Sequence, residues 1–258
     1  MRATLLFCAQ VTELLADHSV FVSLRSTEFQ LISLLAAFSN EHPRAIAGNR
    51  ICDTCGVQFS DSTQPPSACP VCEDDRQYIG PSGQKWTSLQ EMQGKFHNKH
   101  FKVTDQVISI GPTQPKFAIG QRALLIKTAQ GNVLWDCITL LDDVTKAVID
   151  SLGGISIIAI SHPHFYDTMV EWAQAFQCKV LIHQADEHWV MRTDTAAKHH
   201  VEFWSGDSKQ LNDTMQLVRL GGHFAGSCIL HSRTDESFIC TGDSIQVTPD
   251  KMVSFMYR

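Results

Sequence analysis

The chain has 258 residues, 43% of them hydrophobic and 19% charged, with 21 basic and 27 acidic side chains and a formal charge of −6. This length suits one large domain or a medium domain with a small companion, and the composition excludes wholesale disorder and a disulfide-held miniprotein. No basic stripe is present, and the apolar run around Leu31 to Phe38 is far short of the about 20 residues that a membrane span needs. Neither nucleic acid nor a membrane is expected as a partner; a small-molecule substrate is.

Residues 1–48 read as a helical or poorly ordered leader. Leu31, Leu34, Leu35 and Phe38 recur at i, i+3, i+4 and i+7, the spacing of one helix face. Glu13 and Asp17 arrive early and no small-residue cleavage site follows the short apolar start, so a cytoplasmic location is expected. Nine cysteines are present, four of them in two close pairs. That pattern points to metal binding in a reducing compartment and not to a disulfide framework.

Residues 49–80 form the second zone. Gly56, Pro65, Pro66, Pro70 and Gly80 leave little room for regular structure, so the segment needs a staple. Cys52-Asp-Thr-Cys55 is followed, after 13 intervening residues, by Cys69-Pro-Val-Cys72. Zinc takes four thiolates in a tetrahedron, each Cys-x-x-Cys turn supplying two. A closed site of this kind stabilises the fold and does no chemistry itself. Residues 49–80 are therefore expected to be a zinc-binding module.

From about residue 100, strand and helix patterns interleave, which predicts an α/β body. Ala123–Ile126 and Val133–Trp135 flank Gly131-Asn132 as a hairpin. Asp143 to Leu152 reads as a helix with Val144, Ala147 and Val148 on one face, ended by Gly153-Gly154. Ile155 to Ile160 is a continuous apolar run, as in a strand buried on both faces. Met169, Trp172, Ala173 and Phe176 mark the next helix, with Thr168 and Glu171 spaced as a capping box. Further strands are expected at 180–182, 217–218, 228–230 and 238–240.

Three polar groups follow these strands. Ser161-His162-Pro163-His164-Phe165-Tyr166-Asp167 ends the buried run, and Pro163 keeps His162 extended, so both histidines should face one side. His223 sits in the loop Gly221-Gly222-His223-Phe224, and Asp243 closes Thr241-Gly242-Asp243 after the last strand. The carboxyl ends of strands are where open α/β sheets place their sites.

The order strand–His-x-His, strand–Gly-Gly-His, strand–Gly-Asp resembles the metallo-β-lactamase-fold hydrolases. With Cys-x-x-Cys-Gly-x-x-Phe and Cys-Pro-x-Cys before it, the chain is similar to a zinc-knuckle-bearing branch of that superfamily, over about residues 50–258. The resemblance implies a four-layer αββα sandwich over 100–258. It implies metal ligation by His162, His164 and His223, with Asp243 on the far side. The metal, Zn2+ or Fe2+, would supply a hydroxide to an ester, thioester, lactam or phosphodiester. Two departures stand out: Tyr166 and Asp167 occupy the family's second-site Asp-His pair, and Arg258 falls only fifteen residues after Asp243, so the domain is expected to be incomplete at its carboxyl end. Asp167 is a candidate catalytic carboxylate that could reach a metal, or a carboxylate favoured at a helix amino end; Asp243 is the other catalytic candidate. A single metal is expected at this site. Two alternatives remain: an oxygen-using mononuclear iron site, and a non-catalytic zinc-binding scaffold.

Among other residues, His183 and Asp186 are expected to support the site. His188, His199 and His200 are expected in solvent, and His97 and His100 in a surface loop. Trp172, Trp189, Cys228 and Cys240 are expected to pack inside.

Overall fold

Apolar runs flanked by turn residues organise the chain into strands, and in the computed structural model these build two large sheets and the two-stranded pairing of Ile51–Cys52 with Trp86–Thr87. The structure describes residues 4–6, 49–62, 64–73, 79–234, 236–245 and 252. The helix expected at Leu31–Phe38 lies outside the described residues. The amino-terminal strand β1 covers Thr4–Leu6; the cysteine segment carries, among its described residues, the two-residue strand β2 (Ile51–Cys52), and β3 (Trp86–Thr87) and the short helix α1 (Leu89–Met92) follow it.

The larger sheet comprises β4 (His97–Lys102), β5 (Val107–Gln114), β6 (Ala123–Ile126), β7 (Val133–Trp135), β8 (Ile157–Ala159), β9 (Lys179–His183) and β10 (Val201–Trp204). Its order is β10-β9-β8-β7-β6-β5-β4, antiparallel from β4 to β7 and parallel from β7 to β10. Every residue of β6 and β7 is buried, as the unbroken apolar runs require. The parallel connections run through α2 (Asp143–Ser151), α3 (Met169–Phe176) and α4 (Thr195–His200). The smaller sheet is built from β11 (Ser208–Gln210), β12 (Met215–Arg219), β13 (Cys228–Ser232) and β14 (Phe238–Cys240), with β1 parallel to β14 at its edge. Met215, Leu217, Leu230 and Phe238 of this sheet share one hydrophobic core with Leu134, Ile158 and Val180 of the larger one. The body is thus the mixed α/β fold that the interleaved patterns predict.

Several local expectations change. On α2 the buried residues are Thr145 and Ile149, while Val144 is 65% exposed. The register is set by Thr145, which meets Asn98 Nδ2 at 3.1 Å and His100 Nε2 at 3.1 Å on β4. His97 and His100 therefore belong to a strand and not to a loop. Thr168 precedes α3 without capping it; its hydroxyl donates to Thr139 O at 2.6 Å instead. His200 is buried, its Nδ1 2.9 Å from Cys178 O, whereas His188 and His199 are exposed. Trp172 is fully buried and Trp189 half-buried; Cys228 and Cys240 are buried.

The cysteine segment is continuous with the body. Cys52, Cys55, Val57, Cys69, Val71 and Cys72 lie in the same core cluster as the sheet residues. Arg192, 6% exposed, ties it down: its guanidinium reaches Gln58 Oε1, Glu171 Oε1 at 2.8 Å and Asp194 Oδ2 at 2.5 Å. A planar fork with several fixed donors suits such a junction. Replacement by Met would strand two carboxylates and a carbonyl. The expected cost for Arg192→Met is about 2 kcal/mol, below the range for a fully buried pair because both carboxylates reach solvent. Urea unfolding measures it, and limited proteolysis near residue 60 should speed up in the variant.

Candidate metal centre

Three loop ends meet at one point. His162 follows β8 in extended conformation (φ −170°, ψ 172°) before Pro163. His164 does not continue that extended run: Pro163–Phe165 form a 3-10 turn, in keeping with proline's fixed φ. The turn still brings both rings to one side, with centroids 5.1 Å apart. His223 arrives from the loop between β12 and β13, and Asp243 from the turn after β14.

The ligand-capable atoms of His162, His164, His223 and Asp243 all lie within 4.8 Å of one another. Asp243 Oδ2 is 3.3 Å from His162 Nε2 and 3.7 Å from His223 Nε2, and His223 Nε2 is 3.4 Å from His164 Nδ1. Ligand bonds of about 2.0–2.1 Å in a tetrahedron give edges of roughly 3.3–3.4 Å. His162 Nε2 is buried and makes no hydrogen bond, although Asp243 stands beside it. The four side chains thus match a metal in number, chemistry and spacing. Burial pushes the Asp243 carboxyl up, but His162, then His223 and His164, outweigh it, and the net direction is down. Asp243 is therefore held ionised, as a ligand must be.

The surroundings fix these groups. Ser161 Oγ lies 2.8 Å from His162 Nδ1, leaving Nε2 to face the cluster. Asp136 Oδ1 accepts from Ser161 N at 2.7 Å, and burial pushes its carboxyl up to about 7 while His162 pulls it back. Asp136 was not among the sequence candidates. Its signal is an aspartate directly after the buried run Val133–Trp135, with a left-handed φ of 63°. Gly242 has φ +52°, and a Cβ there would lie 2.6 Å from Ser161 Oγ; only a bare backbone lets Asp243 come so near the histidine loop. Phe224 stacks beside His162 at 5.7 Å and meets His164 edge-on at 4.9 Å. Asp186 Oδ1 accepts from Gly226 N at 2.7 Å, which anchors the loop that carries His223. His183 accepts from Ala185 N at 3.1 Å and sits 3.1 Å from Gly206 O, so both its nitrogens serve the backbone.

Tyr166 and Asp167 stand outside the four-residue group. Tyr166 is buried, with its hydroxyl 3.5 Å from Asp186 O. Asp167 is buried, and its Oδ1 accepts from Thr139 Oγ1 at 2.6 Å. Burial drives its carboxyl well above the ordinary range. Its side chain therefore neither caps α3 nor joins the histidines.

The second cluster is the cysteines. Cys52 Sγ is 3.5 Å from Cys72 Sγ, and Cys55 Sγ is 3.7 Å from Cys69 Sγ, all four being buried. Zinc–sulfur bonds of about 2.3 Å give tetrahedral edges of about 3.8 Å. Gln84 Nε2 donates to Cys52 Sγ at 3.0 Å. Hydrogen bonds from the neighbouring sulfurs, Cys55 first, pull the Cys52 thiol down, while its partners Cys55 and Cys72 are pushed up, Cys52 first. Four sulfurs at this spacing match the donor set of one tetrahedral cation, which would hold them as thiolates.

No protein-family model matches the chain. Solved structures with a partial likeness include VMB-1 (TM-score 0.46, 14% identity, 59% of this chain and 73% of the other). The DIM-1 metallo-β-lactamase is similar at TM-score 0.46 and 11% identity, over 59% of this chain and 73% of the other. A probable metal-dependent hydrolase from Staphylococcus aureus matches at TM-score 0.38 and 14% identity, over 50% of this chain and 59% of the other. At such scores the fold rests on this chain's own topology. In sequence, the chain is 49% identical over 213 residues to the uncharacterized protein YmaE of Bacillus subtilis (strain 168), a span of 80% of this chain and 76% of YmaE. On that identity and coverage, the chain belongs to the same family as YmaE.

Proposed function

We propose that this protein is a metal-dependent hydrolase with one metal at His162, His164, His223 and Asp243 and a structural zinc at Cys52, Cys55, Cys69 and Cys72. The convergence of three imidazoles and one carboxylate at ligand spacing carries the reading. Three histidines favour zinc over the two-histidine, one-carboxylate set that suits ferrous iron. The metal, when bound, lowers the pKa of its water to about 7 and polarises a carbonyl or phosphoryl oxygen.

The chain's own groups do the rest. His162 and His164 are buried and hold their rings against Phe165 and Phe224, which keeps bulk water from that side. Asp243 is only partly buried, unlike His162 and His164; with the three histidines as the fixed ligands, it is the member of the group that can yield the fourth position to a water and then orient that water or accept its proton. The substrate class proposed is an ester, thioester, lactam or phosphodiester. Tyr166 and Asp167 are not members of the ligand group and bond to Asp186 and Thr139 instead, which supports a mononuclear site. No described helix is long and apolar enough to cross a membrane; a cytoplasmic location is part of the proposal.

Metal analysis of protein purified without added metal should give one metal for each of the two groups. His162→Ala should lose the metal of the histidine group and keep the thiolate zinc, and hydrolysis of chromogenic esters or phosphodiesters should vanish with it. Retained metal and retained hydrolysis in this variant would overturn the assignment. Asp167→Asn should leave both metals in place, because its carboxylate lies against Thr139 and outside the cluster.

Cys69→Ser should lose the thiolate zinc and become protease-sensitive near residue 60, since the described residues between 49 and 80 carry almost no regular structure of their own. Acidification supplies a further test. A histidine binds metal only when neutral, whereas Asp243 is held below the ordinary carboxylate range, so its ionisation outlasts that of an unperturbed carboxylate as pH falls. Metal at this site should be released as pH drops, because its ligands bind only in their deprotonated forms; equilibrium dialysis across a pH series reads it.

A further inference from the structure

The two clusters are joined by one side chain. Gln121 is buried at 8% exposure, and its Nε2 donates to Cys55 O at 2.6 Å and to His164 O at 3.1 Å. An amide NH2 has two hydrogens, one for each carbonyl. The same loop is held a second time, by Gln58 N donating to Asp167 O at 3.0 Å. Gly56, next to Cys55, lies directly on the loop: its φ is +86°, and a Cβ there would be 2.0 Å from Asp167 Oδ1 and 2.4 Å from Thr139 Oγ1. The segment from His164 to Asp167 is therefore clamped at both ends by the cysteine turn.

We propose that Gln121 is a positioning residue that couples the two centres, so that metal at the cysteines tightens metal binding at the histidines. This rests on the reading of both clusters as metal centres. The physical path is short. Four sulfurs drawn onto one ion fix the turn that presents the Cys55 carbonyl. That carbonyl and the His164 carbonyl share Gln121. The His164 peptide sets where the His164 ring begins, and its Nδ1 must meet His223 Nε2, 3.4 Å away. With the turn released, Gln121 loses one of its two partners and the His164 peptide is free to shift. Groups that orient ligands in this way typically account for about 10–100-fold in metal affinity. Linkage requires the effect to be mutual.

Cobalt titration separates the centres, because thiolate-bound cobalt has a charge-transfer absorption that histidine-bound cobalt lacks. Gln121→Glu keeps the side chain's size and replaces the shared donor by an acceptor facing two carbonyls. The expected result is full thiolate absorption with cobalt at the histidine group bound about tenfold more weakly. Unchanged affinity there overturns the coupling alone. Wild-type protein that takes up no cobalt beyond the thiolate centre overturns both the metal-centre reading and the coupling. Should Gln121→Glu fail to fold, reciprocity gives a second measurement with Gln121 intact. In His162→Ala, the thiolate centre should bind cobalt about tenfold more weakly than in wild-type protein carrying metal at both centres. Equal thiolate affinity in the two proteins overturns the proposal.

Discussion

Ligand-capable atoms packed 3.3–3.7 Å apart set the terms on which this molecule holds together. Four sulfurs in one cluster, and three imidazoles with a carboxylate in the other, are brought closer than like donors settle without a proton or cation between them. The buried His162 Nε2 with no hydrogen bond is the plainest sign. Asp243 Oδ2 stands 3.3 Å from it, and an under-satisfied buried polar atom is costly, so the fold has to hold these groups in place by other means. The hydrogen bonds from Ser161, Asp136, Asp186 and Gln121 are those means.

The architecture explains why they can do so. The parallel half of the larger sheet ends its strands at one edge, and β7 and β8 deliver Asp136 and His162 there side by side. The smaller sheet brings His223 and Asp243 from its own loop and turn. Cys228 N donates to Ser161 O at 3.0 Å, linking the first residue of β13 to the histidine loop. Each donor therefore stands on a backbone fixed by sheet pairing, with Gly242 allowing the closest approach. Rigid elements carry the site, and short loops set its final spacing.

The cysteine segment belongs to this arrangement and is more than an appendage in front of it. Its sulfurs and Val57 and Val71 are part of the common core, Arg192 links it to α3 and to the loop before α4, and Gln121 links it to His164. A segment with a single two-residue strand among its described residues cannot define its own shape; it takes that shape from the four-sulfur cluster and from the body it rests on. What looks from the sequence like a separate module is thereby placed within reach of the histidine loop.

The sequence by itself determined the mixed α/β body, the hairpin of β6 and β7, the strand β8, the two Cys-x-x-Cys turns and the strand-end residues His162, His164, His223 and Asp243. These follow from local pattern: unbroken apolar runs, glycine at turns, and polar residues placed where strands stop. Only the tertiary structure decided which face of α2 is buried, since Val144 and Thr145 both lie at helical spacing and the contact with Asn98 and His100 chooses Thr145. It also decided that Thr168 bonds to Thr139, that Asp167 turns towards Thr139 and Gly56, and that Asp136 and Gln121 serve the centres. Each of those partners is more than twenty residues away along the chain, and no spacing pattern records a hydrogen bond that exists only once the sheet has brought its strands together.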